Sequence, residues 1–146
     1  MPAPASAPQI PVPELAHTLR MACMRVARRV RYESGGTVAP HLFSVLAQLG
    51  SEARTVGELA TIEQVSAPSM SRTVAQLCEG GYVTRMADEH DGRLVRLAIT
   101  ELGEQTVRGE RERRDRWFTE RLEKLSDEDQ VLLARAAELL EELVAR

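Results

Sequence analysis

The sequence predicts a mainly α-helical fold with one small β-hairpin, and three observations support this prediction. Aromatic residues make up only 3% of the chain although hydrophobic residues make up 43%, so the core must be built mainly from aliphatic side chains, which suit helices. Apolar residues recur at intervals of three and four over most of the chain, as in amphipathic helices. Between residues 82 and 99 two short apolar stretches instead flank a glycine-centred turn, and the second alternates, as in a hairpin.

The N-terminal half of the chain contains an arm and two predicted helices. Residues 1–13 hold five prolines and are expected to form a flexible arm, whereas residues 14–146 are expected to fold as a single domain. The first helix covers residues 14–32 and has an apolar stripe formed by Leu15, Leu19, Cys23, Val26 and Val30. The second helix has Pro40 in its first turn and stops at Gly50.

Two short helices with clear N-terminal signals follow. Thr55 and Glu58 have the T-x-x-E spacing of a capping box, and Ser66 is a suitable N-cap for a fourth helix that ends at residues 80–81. One side of this fourth helix is an apolar stripe formed by Met70, Val74, Leu77 and Cys78. The opposite face holds only side chains that can reach out and hydrogen-bond to bases or phosphates, namely Ser69, Arg72, Thr73 and Gln76.

The hairpin completes the pattern of a winged helix-turn-helix. Its strands are predicted over residues 82–86 and 94–99, after two short helices, so residues 38–100 are expected to form a DNA-binding lobe. In this arrangement the second helix enters the major groove and the hairpin, or wing, lies beside it. We expect Asp91 to orient the guanidinium of Arg93 toward the minor groove, although Asp91 and Gly92 also suit a plain turn.

The C-terminal third predicts a dimerisation layer. Residues 101–125 are charged nearly all round, as in a long helix between lobes, and Ser126 is a suitable N-cap for a last helix. That helix has a wide apolar face formed by Leu132, Leu133, Ala136, Leu139, Leu140, Leu143 and Val144. Because one lobe cannot cover so much apolar surface, residues 14–32 and 102–146 are expected to pack against a second copy of the chain as a homodimer.

Four sequence fragments carry a family resemblance. They are T-x-x-E-L-A at 55–60, V-S-x-x-x-x-S-R-x-V-x-x-L at 65–77, G-Y-V-x-R at 81–85 and D-x-R-x-x-x-x-x-x-T at 91–100. In their order and spacing they resemble the MarR (multiple antibiotic resistance regulator) family of winged-helix transcription factors. The resemblance extends from about residue 15 to the end. It implies a dimer that binds pseudo-palindromic double-stranded operators, commonly as a repressor, and is released by small ligands or by oxidation.

The resemblance also implies roles for individual residues. Base-reading positions correspond to Ser69, Ser71, Arg72 and Gln76, phosphate contacts to Thr55 and Ser66, and the wing arginine to Arg93. The sequence departs from the family pattern at Gln76 and Gly80, where many members have Arg or Lys, and at Glu89, where Pro is common. Residues 54–100 hold six acidic residues against five arginines, so DNA affinity should depend on a few well-placed contacts.

A small apolar or aromatic effector is expected to bind between the lobes, with Cys23, His41 and Phe43 as candidate lining residues. We expect no metal, cofactor or enzymatic activity, because the three histidines lie on separate elements and no catalytic motif is present. The N-terminus lacks the pattern of a secretory signal and no long apolar run occurs, so a cytoplasmic protein without membrane partners is predicted.

Two alternative functions stay open from the sequence. The acidic balance of the lobe also suits a winged helix that binds protein rather than DNA. A thiol-based redox-sensing regulator is the other alternative, through Cys23 or Cys78. Both cysteines lie on apolar stripes, where buried and unreactive thiols are common.

Overall fold

The computed structural model describes residues 10–145, which form six helices and one two-stranded antiparallel sheet. The elements are α1 Val12–Glu33, α2 Pro40–Leu49, α3 Val56–Glu63, α4 Ala67–Glu79, β1 Val83–Ala87, β2 Val95–Ile99, α5 Glu101–Leu122 and α6 Asp127–Val144. The predicted mainly helical fold with a small hairpin is confirmed.

The hydrophobic core lies in the middle of the chain. Helices α2, α3 and α4, both strands and the first half of α5 enclose it, and apolar side chains from all of them pack together. This cluster consists of Phe43, Val45, Leu46, Leu49, Leu59, Ala60, Met70, Val74, Leu77, Val83, Leu97 and Val107. We call this unit the winged lobe.

Capping interactions fix the starts of the two short helices. The Thr55 hydroxyl accepts a hydrogen bond from the Glu58 amide (3.2 Å), and the Glu58 carboxylate accepts one from the Thr55 amide (2.7 Å), so the predicted capping box is present. Ser66 caps α4, and Gln64 ends α3 in the left-handed conformation with φ of 54°. The chain therefore turns sharply between α3 and α4, as in a helix-turn-helix.

The hairpin differs from the prediction by one residue at three strand ends. β1 pairs with β2 from Val83 opposite Ile99 to Ala87 opposite Val95. Arg54 extends this sheet by an isolated bridge to Leu97, with N–O distances of 3.1 and 2.8 Å between the two backbones. The wing is thereby tied to the segment that precedes α3.

The long helix α5 connects the winged lobe to the terminal helices. Near its start, Gly103 packs so closely on the Tyr82 backbone that a Cβ atom would overlap the Tyr82 carbonyl oxygen. Near its end, Trp117 stacks on Phe118 with ring centroids 6.5 Å apart, and the Arg121 guanidinium carbon lies 3.4 Å from the centroid of the Trp117 ring.

A buried carboxylate fastens the middle of α5 to the loop between α1 and α2. Glu110 is 1% exposed; its carboxylate accepts hydrogen bonds from the Thr37 amide (2.7 Å) and hydroxyl (3.1 Å) and pairs with Arg113. Burial alone would raise the pKa of Glu110, but the bonds from Arg113 and Thr37 outweigh it and hold the pKa below its usual value.

The terminal helices remain largely exposed in the single chain. Within residues 10–145, neither α1 nor α6 contains a fully buried residue. Helix α1 starts at Val12, two residues before the predicted start, and residues 1–9 of the predicted arm lie outside the described residues. No helix of the described chain is long and apolar enough to cross a membrane.

Candidate nucleic-acid interface

The outward face of α4 carries a chain of hydrogen bonds among three of the predicted DNA-contacting residues. The Ser66 hydroxyl donates to the Ser69 hydroxyl (2.9 Å), and the Arg72 guanidinium donates to the same Ser69 oxygen (3.3 Å). Because residues three apart lie side by side on a helix, these groups form one polar row along the first turns of α4. The arrangement orders the Arg72 side chain on an otherwise exposed surface.

The remaining predicted residues of α3 and α4 differ in their availability. Ser71 and Gln76 are exposed on α4 and free to reach a partner. The Thr73 hydroxyl instead donates to the Ser69 carbonyl oxygen (3.2 Å) of its own helix, so its donor hydrogen is already used. Thr55 uses its oxygen as the N-cap acceptor of α3, which still leaves its hydroxyl hydrogen for a phosphate oxygen.

The wing tip corrects one expectation from the sequence. Asp91 does not pair with the Arg93 guanidinium; its carboxylate accepts a hydrogen bond from the Arg93 backbone amide at 3.0 Å. Asp91 therefore shapes the turn, and the Arg93 side chain is exposed without an ion-pair partner among residues 10–145. The reason is geometric: at a spacing of two residues the short Asp side chain reaches the backbone more readily than the end of a long arginine.

A second arginine of the wing, which the sequence did not indicate as a functional residue, is the better anchored. The Arg96 guanidinium pairs with the Asp88 carboxylate, donates to the Ala53 carbonyl oxygen (3.2 Å) and lies 3.5 Å from the Glu58 carboxylate. The hydrogen bond from Arg96, together with those from the His90 and Asp91 amides, lowers the pKa of Asp88 well below its usual range. The bond to Asp88 in turn raises the pKa of Arg96.

The strand register contains the signal for this pair. Arg96 is opposite Met86, and Asp88 lies two residues beyond Met86, so Asp88 and Arg96 are diagonal neighbours on the same face of the hairpin. In the sequence both residues look simply like charges near a turn.

Ion pairs decide which arginines of the winged lobe are available to a polyanion. Arg54 pairs with Glu52 at 2.7 Å, and Arg96 is compensated by two carboxylates. Arg72, Arg85 and Arg93 form no ion pair with any residue in the described part of the chain. The excess of acids over arginines therefore overstates the repulsion that DNA would meet, because Glu58 and Asp88 already face Arg96.

A cleft of about 480 Å³ lies where α1, α2 and α5 meet. His41 and Phe43 both line it, and the Arg114 guanidinium carbon stacks 3.8 Å from the Phe43 ring centroid. Burial lowers the pKa of Arg114, and neither Arg114 nor Arg31, which also lines the cleft, forms an ion pair within residues 10–145. We call this the interlobe cleft.

Cys23 is absent from the interlobe cleft, so the three candidate effector residues do not form one site. It lies instead in an apolar groove of about 600 Å³ between α1, α5 and α6. Cys23 is exposed in the single chain, contrary to the burial expected from its stripe, and no residue of α1 is fully buried. Cys78 is half-buried on α4, and no metal-binding cluster is present among the described residues.

Comparisons with known proteins define the class. The MarR family model matches residues 40–94. An uncharacterised HTH-type transcriptional regulator of Mycobacterium leprae is 37% identical over 132 residues, covering 89% of this chain and 92% of the relative. A MarR family protein from Bacillus stearothermophilus superposes with a TM-score of 0.75 at 30% identity, covering 92% of this chain and 96% of that one.

A more distant structure has the same fold in complex with nucleic acid. A point mutant of MepR from Staphylococcus aureus, bound to an oligodeoxyribonucleotide, is 18% identical with a TM-score of 0.65, covering 88% of this chain and 97% of that one. With the relatives of 37% and 30% identity, the fold is that of HTH transcriptional regulators, a class of proteins that are not enzymes. This chain belongs to the MarR family, as the four fragments suggested.

Proposed function

We propose that the protein is a cytoplasmic homodimer that binds pseudo-palindromic operator DNA and represses transcription until a small effector releases it. The observation that carries the DNA-binding part is the face of α4, where Arg72 is held by Ser69 and has no acidic partner in the described chain. Such an arginine can form bidentate hydrogen bonds with guanine in the major groove. The MepR mutant, which shares the fold, is bound to an oligodeoxyribonucleotide, and this supports DNA as the partner.

Exposed apolar surface supports the dimer. Groups from α1, α5 and α6 line the apolar groove of about 600 Å³, and further leucines of α6 project beyond it. An isolated soluble chain rarely exposes an apolar area of this kind, whereas a two-fold interface would cover it on both copies at once. Two copies would also present two α4 helices, as a pseudo-palindromic operator requires.

The wing makes a testable contribution to this function. Arg93→Ala is expected to weaken operator binding by roughly 1–3 kcal/mol, because it removes an unpaired guanidinium that can enter the minor groove. Fluorescence anisotropy with operator DNA measures the loss, and thermal unfolding checks that the fold is intact. Unchanged affinity in the variant would exclude Arg93 as a DNA contact.

The interlobe cleft is the proposed effector site. It combines the Phe43 ring with the guanidinium groups of Arg31 and Arg114, neither of which forms an ion pair within residues 10–145. The cleft also contains the Glu63 carboxylate, which accepts hydrogen bonds from the Ser44 hydroxyl of the same wall. This composition favours a small aromatic compound that carries an acidic group. The cleft adjoins both α1 and α2, so a bound molecule there can alter the angle between the terminal helices and the winged lobe.

Reciprocal linkage tests the effector proposal. From a panel of aromatic carboxylates screened by thermal shift, a true effector should bind the operator complex more weakly than the free dimer, by the same factor as it weakens DNA binding. A tenfold effect corresponds to about 1.4 kcal/mol of coupling. Arg114→Gln should abolish the response, whereas equal ligand affinity for free and DNA-bound protein would show that the cleft is not coupled to recognition.

Salt dependence separates DNA binding from the alternative of a protein-binding winged helix. Operator fragments are first selected from genomic DNA, including the region upstream of the coding sequence, and the affinity is then measured at several salt concentrations. A DNA-binding dimer should give a steep linear fall of log K with log salt concentration, since each neutralised phosphate releases about 0.9 counterion. Failure to retain any DNA would favour a protein partner. Loss of binding on mild oxidation would instead support redox sensing.

A further inference from the structure

Hydrogen bonds and ion pairs link the first turn of α3 to the wing tip without interruption. They begin at Glu58, whose carboxylate faces Arg96, and continue through the ion pair of Arg96 with Asp88. The Asp88 carboxylate accepts hydrogen bonds from the His90 amide (2.8 Å) and the Asp91 amide (2.9 Å). The Asp91 carboxylate then accepts the Arg93 amide at 3.0 Å.

These contacts have two separate structural roles in the hairpin: they fix the base of the wing and they fix the shape of its tip. The bonds from Arg96 to Asp88, Glu58 and the Ala53 carbonyl fix the base of the wing against the lobe. The bonds that Asp88 and Asp91 accept from backbone amides fix the shape of the tip. The Asp88 side chain serves both purposes and is only 8% exposed, although it lies on a surface hairpin.

The wing needs such support because it is small. A two-stranded ribbon of five-residue strands is marginally stable on its own, and the Arg93 side chain has no partner in the described chain that would hold it in place. The position of Arg93 relative to α4 is therefore determined by the backbone of the tip and by the angle of the hairpin. Ordering both before DNA arrives reduces the entropy lost on binding.

We propose that Arg96 and Asp88 are positioning residues that hold the wing so that Arg93 is presented to the operator. This inference rests on the proposed DNA-binding function and assigns Arg96 no DNA contact of its own. The Arg96 side chain is two-thirds buried and its charge is compensated by two carboxylates, which makes it a poor phosphate ligand. Its effect on DNA binding must then pass through Arg93.

A double-mutant cycle tests this route. Operator affinity is measured for the wild-type dimer, Arg96→Met, Arg93→Ala and the double variant. Arg96→Met alone is expected to weaken binding by roughly five- to thirtyfold and by no more than Arg93→Ala does. In the Arg93→Ala background the same substitution should change affinity by less than about twofold, since the contact that it positions is already lost.

Two Asp88 variants separate the role of the ion pair at the base of the wing from the role of the hydrogen bonds at its tip. Asp88→Asn keeps an oxygen acceptor for the His90 and Asp91 amides but loses the ion pair, so it should resemble Arg96→Met. Asp88→Ala loses both and should approach the effect of Arg93→Ala. Hydrogen exchange of residues 83–99 without DNA should speed up in Arg96→Met, which reports wing order independently of binding.

Arg85→Met is the matched control, because it removes an arginine of the same hairpin that has no ion pair in the described chain. Its effect on affinity, whatever its size, should be the same with and without Arg93. An equal loss from Arg96→Met in both backgrounds, or unchanged affinity and exchange in that variant, would overturn the positioning role. If the wild-type dimer bound no DNA at all, the proposed function itself would fail instead.

Discussion

Replacing Leu132 and Leu139 with glutamate is expected to convert the protein into a monomer. In the single chain these side chains are 65% and 44% exposed on α6. The proposed two-fold interface covers both leucines on each of the two copies, which makes four side chains in all. Removing four partly exposed leucine side chains from the interface should cost roughly 4–8 kcal/mol of dimerisation free energy. The dimer dissociation constant then rises by at least about a thousandfold.

Val131→Glu provides the matched control for this prediction. Val131 is 71% exposed, as open as Leu132, but successive helical residues point about 100° apart, so it faces a different direction. Sedimentation equilibrium should find a dimer for Val131→Glu and a monomer for the double variant, whose winged lobe stays folded because its core lies in other elements. A double variant that remains dimeric would refute the assigned interface.

Glu110→Gln is expected to destabilise the protein by about 2–4 kcal/mol. The carboxylate is 1% exposed, and removing its charge leaves the partly buried Arg113 guanidinium without its anion. The Thr37 bonds weaken as well, since an amide is a poorer acceptor than a carboxylate. Urea unfolding at neutral pH measures the loss, with the exposed Glu112→Gln on the same helix as the control.

The pH dependence of this difference provides a second measurement. Because the pKa of Glu110 is lowered in the folded state, its contribution to stability is fully present above the unfolded value of 4.5 and is lost as the pH falls through the folded pKa. The stability gap between the wild type and Glu110→Gln should therefore close on acidification. A gap that does not depend on pH would contradict the role of the charge.

Local signals made much of the fold predictable. The capping box of Thr55, the N-caps at Ser66 and Ser126 and the stop at Gly50 act within one turn of backbone, so their outcome hardly depends on the rest of the chain. The core stripe of α4 was equally predictable, since the apolar residues at its 3.6-residue period are the ones that lie in the hydrophobic core. The wing strands were correct to within one residue.

The features that could not be predicted from the sequence depend on contacts between residues that are far apart in the chain. The Arg96 pair with Asp88 depends on strand register, and the bond from Thr37 to Glu110 joins residues 73 positions apart. Cys23 was grouped with His41 because both helices were assigned to the lobe junction, but only the tertiary placement of α1 beside α5 and α6 determines which cavity Cys23 lines. Periodicity identifies the apolar face of a helix, but it does not show which other element packs against that face.

The stacked Trp117 on α5 gives the protein a built-in optical reporter. It is the only tryptophan in the sequence, and its neighbour Phe118 lines the apolar groove between the terminal helices. Tyr82 instead packs against the core of the winged lobe. Tryptophan emission therefore follows the state of the terminal helices, whereas far-ultraviolet circular dichroism follows the whole chain. Comparing the two during denaturation reveals whether the dimer layer and the winged lobe melt as one cooperative unit or in succession.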